Sequence, residues 1–166
     1  DLRRKLAGDR PLRLKQGFDP TKPDMHIGHA VGLRKLRKFQ DLGHQVVLIV
    51  GDWTAQIGDP SGRDETRPRL TAEIVRQNAE TYMQQFFKVV DRERTEVRWQ
   101  SEWFGTFDLE KALNLAGRFT LAQLLAHETF RKRYEEGGKL TILELMYPML
   151  QGYDSVMVNP DVEFGG

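Results

Sequence analysis

Two histidines three residues apart, His26 and His29, stand in the stretch PTKPDMHIGH, residues 20–29. On a helix that spacing projects both imidazoles from one face of a single turn. Gly28 removes a side chain from the same turn, so a flat group such as an adenine or a ribose can lie against the backbone. Thr21 adds an upstream hydroxyl. A helix N-terminus carrying two imidazoles and a nearby hydroxyl can hold a polyphosphate. Two other readings use the same residues. An H-x-x-H pair is often two surface or capped histidines, and Asp24, His26 and His29 could serve as metal ligands, although no fourth ligand accompanies them.

A second constellation lies near the end of the chain. Tyr147, Gln151 and Asp154 fall at i, i+4 and i+7, on one face of a helix. The rest of that helix is apolar nearly all round, through Ile142, Leu143, Leu145, Met146, Met149 and Leu150. Buried polar groups need partners, so a polar stripe here faces a cavity or a ligand. The alternative is a solvent-facing stripe, with Pro148 marking a bend. Asp59, in the sequence GDPSG, is a carboxylate on a good type I turn.

The elements that must position these groups follow from periodicity. Leu12 to Phe18 reads as a strand, with Leu12, Leu14 and Gln16 facing one way and Arg13, Lys15 and Gly17 the other. The breaker-rich loop holding Pro20, Lys22, Pro23 and Asp24 follows. A helix is predicted from about Met25 to Leu42, with Asp24 as N-cap and Gly43 ending it. Its apolar positions Ile27, Ala30, Val31, Leu33, Leu36 and Phe39 make a broad buried face. Gln45 to Val50 is nearly continuous aliphatic, the pattern of a strand covered on both faces. Thr71 caps a helix running to Val89, and Glu96 to Trp99 is a third strand. Helices are predicted over 109–116, 120–135 and 141–153, before a strand resumes near Val162.

Strand, helix, strand, helix, strand predicts an α/β fold with a doubly wound parallel sheet. Residues 1–104 form its first half, 105–160 a helical insertion, and 161–166 the start of the next strand. Position also bears on chemistry. The segment after Phe18 occupies the first strand-to-helix turn, where ligands and phosphates gather in such sheets, and that favours nucleotide binding over the other two readings.

Composition narrows the class. With 39% hydrophobic and 30% charged residues the chain is globular rather than disordered. A net charge of +1 is not the footprint of a dedicated nucleic-acid-binding module, so most contacts to any RNA partner are expected outside this chain. The absence of cysteine removes disulfides, thiolate metal sites and a cysteine nucleophile. The longest aliphatic run, Val46 to Val50, is too short to cross a bilayer, and a cytoplasmic protein with no membrane contact is expected. The chain starts at Asp1 without a methionine and stops at Gly166 just after a strand-like stretch, so it is read as a fragment of a longer protein.

The motif HIGH preceded by P-T-x-x-x-x resembles the first signature of the class I aminoacyl-tRNA synthetases. The longer stretches GFDPTKPDMHIGHAVGLRKLRKFQDLGHQVVLIVGD, IGDPSGRDETR, YPMLQGYDS and DVEFGG resemble the bacterial tyrosyl branch of that family, and together cover nearly all of the chain. The resemblance implies a Rossmann-like, HIGH-signature nucleotidyltransferase fold and an enzyme that joins tyrosine to tRNA(Tyr) through tyrosyl-adenylate. It also implies ATP as a substrate, accompanied by Mg2+, with no protein-held metal. It assigns His26 and His29 to catalysis, and Thr21, His26, Gly28, His29 and Gly166 to ATP. Tyr147 and Gln151 are matched to the tyrosine ammonium and carboxylate, Asp154 to the phenol, Asp59 to the ammonium and Thr54 to the same pocket.

By the same resemblance Arg63 and Arg67 attend the pyrophosphate, whereas read as residues they are basic positions in a polar loop. A homodimer is implied, with Phe119, Leu124, Leu125 and Phe130 as candidates at the interface; core packing is the competing reading for each. There are two departures. Many tyrosyl enzymes place a tyrosine beside the substrate phenol where this chain has Lys15, which could reach the phenol as a donor or point away. Ala122 stands where some relatives carry a polar residue. No K-M-S-K-S, the family's second signature, is present, so activity of this stretch alone is expected to be impaired.

Three rivals share part of this pattern. Another HIGH-bearing nucleotidyltransferase would keep the histidines but has no reason to carry Tyr147, Gln151 and Asp154 on one helix. A synthetase-derived RNA-binding protein without catalysis has no need of His26 and His29. A dinucleotide oxidoreductase would carry G-x-G-x-x-G after the first strand, which is missing.

Overall fold

The computed structural model describes residues 2–58 and 70–165. Asp59, Arg63, Arg67 and Gly166 fall outside the described residues. Four strands, β1 (Arg13–Phe18), β2 (Gln45–Val50), β3 (Thr95–Trp99) and β4 (Val162–Phe164), form one sheet in the order β3-β2-β1-β4. Each neighbouring pair is parallel. The helices are α1 (Leu2–Leu6), α2 (Ile27–Asp41), α3 (Thr54–Ile57), α4 (Ala72–Phe86), α5 (Ser101–Phe104), α6 (Leu109–Ala116), α7 (Leu121–Leu125), α8 (Glu128–Glu135) and α9 (Ile142–Val158).

Both faces of the sheet are covered, as the aliphatic run of β2 requires. Leu12, Leu14 and Phe18 at β1 and Val46 and Leu48 of β2 pack against Leu33 and Leu36 of α2 and Tyr82 and Phe86 of α4. Val47 and Ile49, pointing the other way, meet Trp103 and Phe104 of α5, Leu115 of α6, and Met149, Leu150 and Val158 of α9. The doubly wound parallel architecture expected from the sequence is therefore present. So is the alternation of β1, since Lys15 turns toward α9 while Leu14 enters the opposite core. The chain lays down β1, β2 and β3 outward, then returns to the other side of β1 for β4. That reversal opens a crevice at the carboxyl ends of β1 and β4, the position where such sheets bind ligands.

Several local expectations change. Helix α2 begins at Ile27 with His26 as N-cap, its Nδ1 accepting from the Gly28 N–H at 3.1 Å. Asp24 does not cap it, because Gln85 of α4 takes the loop: its Nε2 donates to Asp24 Oδ1 and its Oε1 accepts from Met25 N, both at 2.9 Å. Ile27 and Val31 are exposed rather than buried, at 89% and 73%. The buried face of α2 instead includes Gln40, whose amide binds Asp91, Arg94 and Thr95 and clips the start of β3 to the helix.

The single helix predicted over 120–135 is two, because His127 adopts an extended backbone between α7 and α8. Helix α9 runs on to Val158 and carries Pro148 inside it, capped by Thr141 with Glu144 and closed by Asn159 in the left-handed region. Gly43 after α2 and Thr71 before α4 act as the sequence indicates.

Asp161 fastens β4 to the sheet. Its carboxylate accepts from Arg10 at 2.8 and 2.5 Å and from the Arg13 backbone N–H at 3.0 Å, and its own N–H donates to Arg13 O. The Arg10 guanidinium and the Arg13 amide hold its carboxyl well below the usual carboxylate range. A depressed folded-state value adds stability above the ordinary carboxylate pKa and loses it as pH falls. Arg10 is two-thirds exposed, so water screens its share. Asp161→Asn is expected to lower unfolding stability by about 1–2 kcal/mol at pH 7. The gap should shrink below about pH 4, measured by denaturant unfolding at both pH values.

Candidate active site

The carboxyl end of β1 delivers Asp19 into the crevice. Its Oδ1 accepts from Thr54 Oγ1 and its Oδ2 from the Tyr147 hydroxyl, each at 2.7 Å. Thr54 opens α3 just after β2, and Tyr147 lies in the first half of α9, so one carboxylate joins three elements. The approach is close enough to demand glycine at position 51. A Cβ there would collide with Asp19 Oδ1 and would lie 2.5 Å from Thr54 Oγ1.

Gln100, between β3 and α5 and almost fully buried, continues the chain of bonds. Its Oε1 accepts from Thr54 N at 3.0 Å and from Trp53 N at 3.3 Å, and lies 3.0 Å from Thr54 Oγ1, whose one hydrogen goes to the shorter bond with Asp19. Its Nε2 donates to Asp154 Oδ2 at 2.9 Å. Donors on one side and a carboxylate on the other fix which way the amide points. Trp103 Nε1 donates to the other Asp154 oxygen at 3.2 Å. Tyr147, Asp19, Thr54, Gln100, Asp154 and Trp103 thus form one continuous network along α9.

Asp154 is 2% exposed. Burial pushes its carboxyl up to about 7, against the opposing pull of the Gln100 bond, the Lys15 charge and the Trp103 bond, while Asp19 adds to the rise. A carboxylate held by uncharged donors retains lone pairs for one more hydrogen-bond donor. On the same face of β1 as Lys15, Gly17 leaves open space: a Cβ there meets nothing within 4 Å.

The two histidines stand at the start of α2, past the same end of β1. Their rings stack with centroids 3.8 Å apart. His29 is half-buried against Phe18 and Tyr82, and its Nδ1 is enclosed without a hydrogen-bond partner. Burial, and then the neighbouring His26, lower its pKa, so the imidazole is neutral at pH 7. Gly28 has a reason beyond ligand access, since a Cβ at that position would press within 2.9 Å of the His26 ring that caps the helix. His26 is therefore the cap of α2, through Nδ1 alone.

Of the remaining candidates, Thr21 sits in the turn after β1, its N–H donating to Asp19 O at 2.8 Å. Gln151 is exposed, and its carbonyl rather than its amide is engaged, by Lys15 at 3.4 Å. Asp24, His26 and His29 do not converge as ligands, and among the described residues no group of three His, Cys, Asp or Glu is placed to hold a metal. Phe130 is buried and Leu124 packs on the second core, while Phe119 is 37% exposed and Leu125 half-buried. Ala122 is exposed on α7 and carries no contact of interest. An apolar cavity of about 410 Å³ is lined by Trp53, Phe104, Phe107, Leu143 and Met146 among others, and none of the network residues lines it.

Sequence reasoning missed Asp19 and Gln100, which make the network continuous. Asp19 had a positional signal, as the first residue past a strand that ends at the ligand-binding edge. Gln100 had none, being a lone amide after a short strand.

Two outcomes follow from this geometry. Gly51→Ala should force Asp19 and Thr54 apart and cost about 1–3 kcal/mol, as overpacking does, in equilibrium unfolding. For Asp154 the raised folded-state pKa means stability that is present below its unfolded value and lost as pH rises toward 7. The melting temperature of the protein relative to Asp154→Asn is expected to fall between pH 4 and 7 and to level off above. A relative gain over that range would contradict the burial-driven shift.

Comparison with known proteins places this geometry in a family. The family model described as tRNA synthetases class I (W and Y) matches residues 7–166. A curated tyrosine–tRNA ligase of Dehalococcoides mccartyi (strain CBDB1) is 64% identical over the whole chain, and one from Thermotoga maritima is 55% identical over 93% of it. The chain spans 42% and 39% of the length of those two relatives. Among solved structures, a C-terminally truncated mitochondrial tyrosyl-tRNA synthetase of Aspergillus nidulans superposes with a TM-score of 0.83 at 24% identity, covering all of this chain and 51% of that one. The tyrosyl-tRNA synthetase of Archaeoglobus fulgidus complexed with L-tyrosine gives 0.74 at 20% identity, covering 99% and 49%. With the sheet order, the HIGH turn and the match over residues 7–166 in agreement, the chain belongs to the class I tRNA synthetases of the tryptophanyl and tyrosyl group.

Proposed function

We propose that this chain carries the amino-acid and ATP half-sites of a tyrosine–tRNA ligase. The observation that carries the reading is the single hydrogen-bonded network that joins the buried Asp154, held by Gln100 and Trp103, to Asp19 and Tyr147, with the open space at Gly17 taken as the floor of a slot between them. Such a slot suits an aromatic amino acid with a hydroxyl at its tip. Asp154 accepts from the phenol, and Asp19, Thr54 and Tyr147 face the ammonium end, where Gln151 and Asp59 are also assigned. A site built to bind a hydroxyl rejects the analogue lacking it, because its own polar group is left unpaired.

The reaction is attack of a tyrosine carboxylate oxygen on the α-phosphorus of ATP, with pyrophosphate leaving. The acyl group then passes to the ribose end of tRNA(Tyr). No covalent enzyme nucleophile is required. Catalysis comes from alignment of two bound reactants and from fixed donors around the developing phosphate charge. His26 and His29 supply such donors at the α2 terminus, with Thr21 and Gly28 lining the same turn and Gly166 assigned to the ATP side. His29, kept neutral, donates without carrying a charge of its own into the site. Mg2+ enters with the ATP phosphates, and Arg63 and Arg67 attend the pyrophosphate. The working protein is a cytoplasmic homodimer.

Three measurements test this reading, the first two on the full-length protein. Asp154→Ala should reduce the preference for tyrosine over phenylalanine in binding by about 100-fold or more; an intact preference would remove Asp154 from the pocket. His29→Ala should lower kcat for tyrosine-dependent ATP–pyrophosphate exchange by about 100- to 1,000-fold while leaving tyrosine affinity in place. Exchange by the 166-residue chain alone at the full-length rate would contradict the half-site reading.

A further inference from the structure

Lys15 is the one charged side chain of β1 that is almost fully buried, at 3% exposure. Burying an ammonium is costly unless it is partnered. Its Nζ lies 2.9 Å from Ser155 Oγ, 3.4 Å from Gln151 O and 3.6 Å from Glu163 Oε2. The first two are hydrogen bonds to α9, and the third is an ion pair with β4 at a distance beyond a hydrogen bond. The two α9 acceptors flank Asp154 in sequence, so the bonds from Lys15 pin the turn of helix that carries the buried carboxylate.

The charge of Lys15 is less fully used than its hydrogens. Its carboxylate neighbour Glu163 is half exposed, so water screens that pair. Asp154 is enclosed, and there the same charge acts through protein rather than water. Among the described residues, the titratable groups facing Asp154 are Lys15 from β1 and Asp19 beyond it, with Glu163 of β4 reaching only Lys15. From α3 and α5 come Thr54, Gln100 and Trp103, all uncharged. On α9 itself Tyr147 donates to Asp19, and Tyr153 turns away to Phe104 and Phe107.

We propose that Lys15 is a specificity-determining positioning residue, whose hydrogen bonds fix the Gln151–Ser155 turn and whose charge favours Asp154 as a charged acceptor for the substrate hydroxyl. This rests on the reading of Asp154 as the phenol acceptor. Recognition of the hydroxyl is then single-point: Asp154 accepts, and Lys15 tunes the acceptor without touching the phenol. An ionised acceptor binds a hydroxyl more strongly than a protonated one, so selectivity becomes a function of pH. Burial works against ionisation near neutrality, and Lys15 opposes it.

The test is the binding of tyrosine and phenylalanine to the full-length protein between pH 5.5 and 9, with phenylalanine correcting for the shared ammonium. The unaltered protein should gain about tenfold in tyrosine-over-phenylalanine preference as pH rises through 7. In Lys15→Met that rise should move up by about one pH unit or more, so preference is reduced at pH 7 and recovers by pH 9. Ser155→Ala, which breaks a pin but keeps the charge, should leave the midpoint in place. Lys15→Gln, still able to donate to Ser155, is measured beside Lys15→Met and should show the same displacement if the latter does not fold. A wild-type midpoint in either Lys15 variant, or a loss that high pH does not restore, would overturn the proposal. Absence of a tyrosine preference in the unaltered protein at every pH would instead overturn the assignment of Asp154.

Discussion

A carboxyl group closed off between a sheet and a helix dictates what surrounds it. Asp154 has almost no contact with water, and an acid so placed needs donors on its oxygens or a proton of its own. Gln100 and Trp103 provide the donors, Lys15 a charge. The needs of those three then propagate. Gln100 must turn its oxygen toward α3, which fixes Thr54. Thr54 must reach Asp19, which requires glycine at position 51. Packing of α9 on β1 is thereby set by polar bonds as well as by the apolar core beneath.

Strand β1 is where stability and chemistry meet. Its residues facing α2 and α4 are hydrophobic and complete the first core. Those facing α9 are Arg13, Lys15 and Gly17, a gradient from a surface ion pair through a buried cation to an open slot. The strand ends where sheet order reverses, and the turn beyond it carries Asp19 and then His26 and His29. Because successive residues of a strand point to opposite faces, one short segment anchors the fold and shapes a pocket at once.

Much of this was legible in the sequence. Period-2 and period-3.6 patterns located the strands and the long helices, since each buries one face against the sheet. Asp154 stood out as a carboxylate on an apolar helix. What escaped prediction depended on partners distant in sequence. Asp24 is a good cap by type, but Gln85 claims it, and the helix starts two residues later with His26 capping instead. Ile27 and Val31 are apolar at helical spacing yet project past the sheet, where nothing described covers them. Gln40 and Gln100 are buried amides whose roles follow from four-way bonding to other segments, and a lone glutamine carries no periodic signal. The split between α7 and α8 turns on the backbone of one residue, His127.

On the proposed function, the slot between Gly17 and α9 takes a tyrosine with its hydroxyl on Asp154. A crystal structure of the full-length protein with tyrosine bound tests it most directly. The ring is expected over Gly17, the phenol oxygen within hydrogen-bond distance of Asp154, the ammonium at Asp19 and Tyr147, and Lys15 still bonded to Ser155. Tyrosine seated in the apolar cavity beside Trp53 and Phe107, or with its hydroxyl away from Asp154, would contradict it.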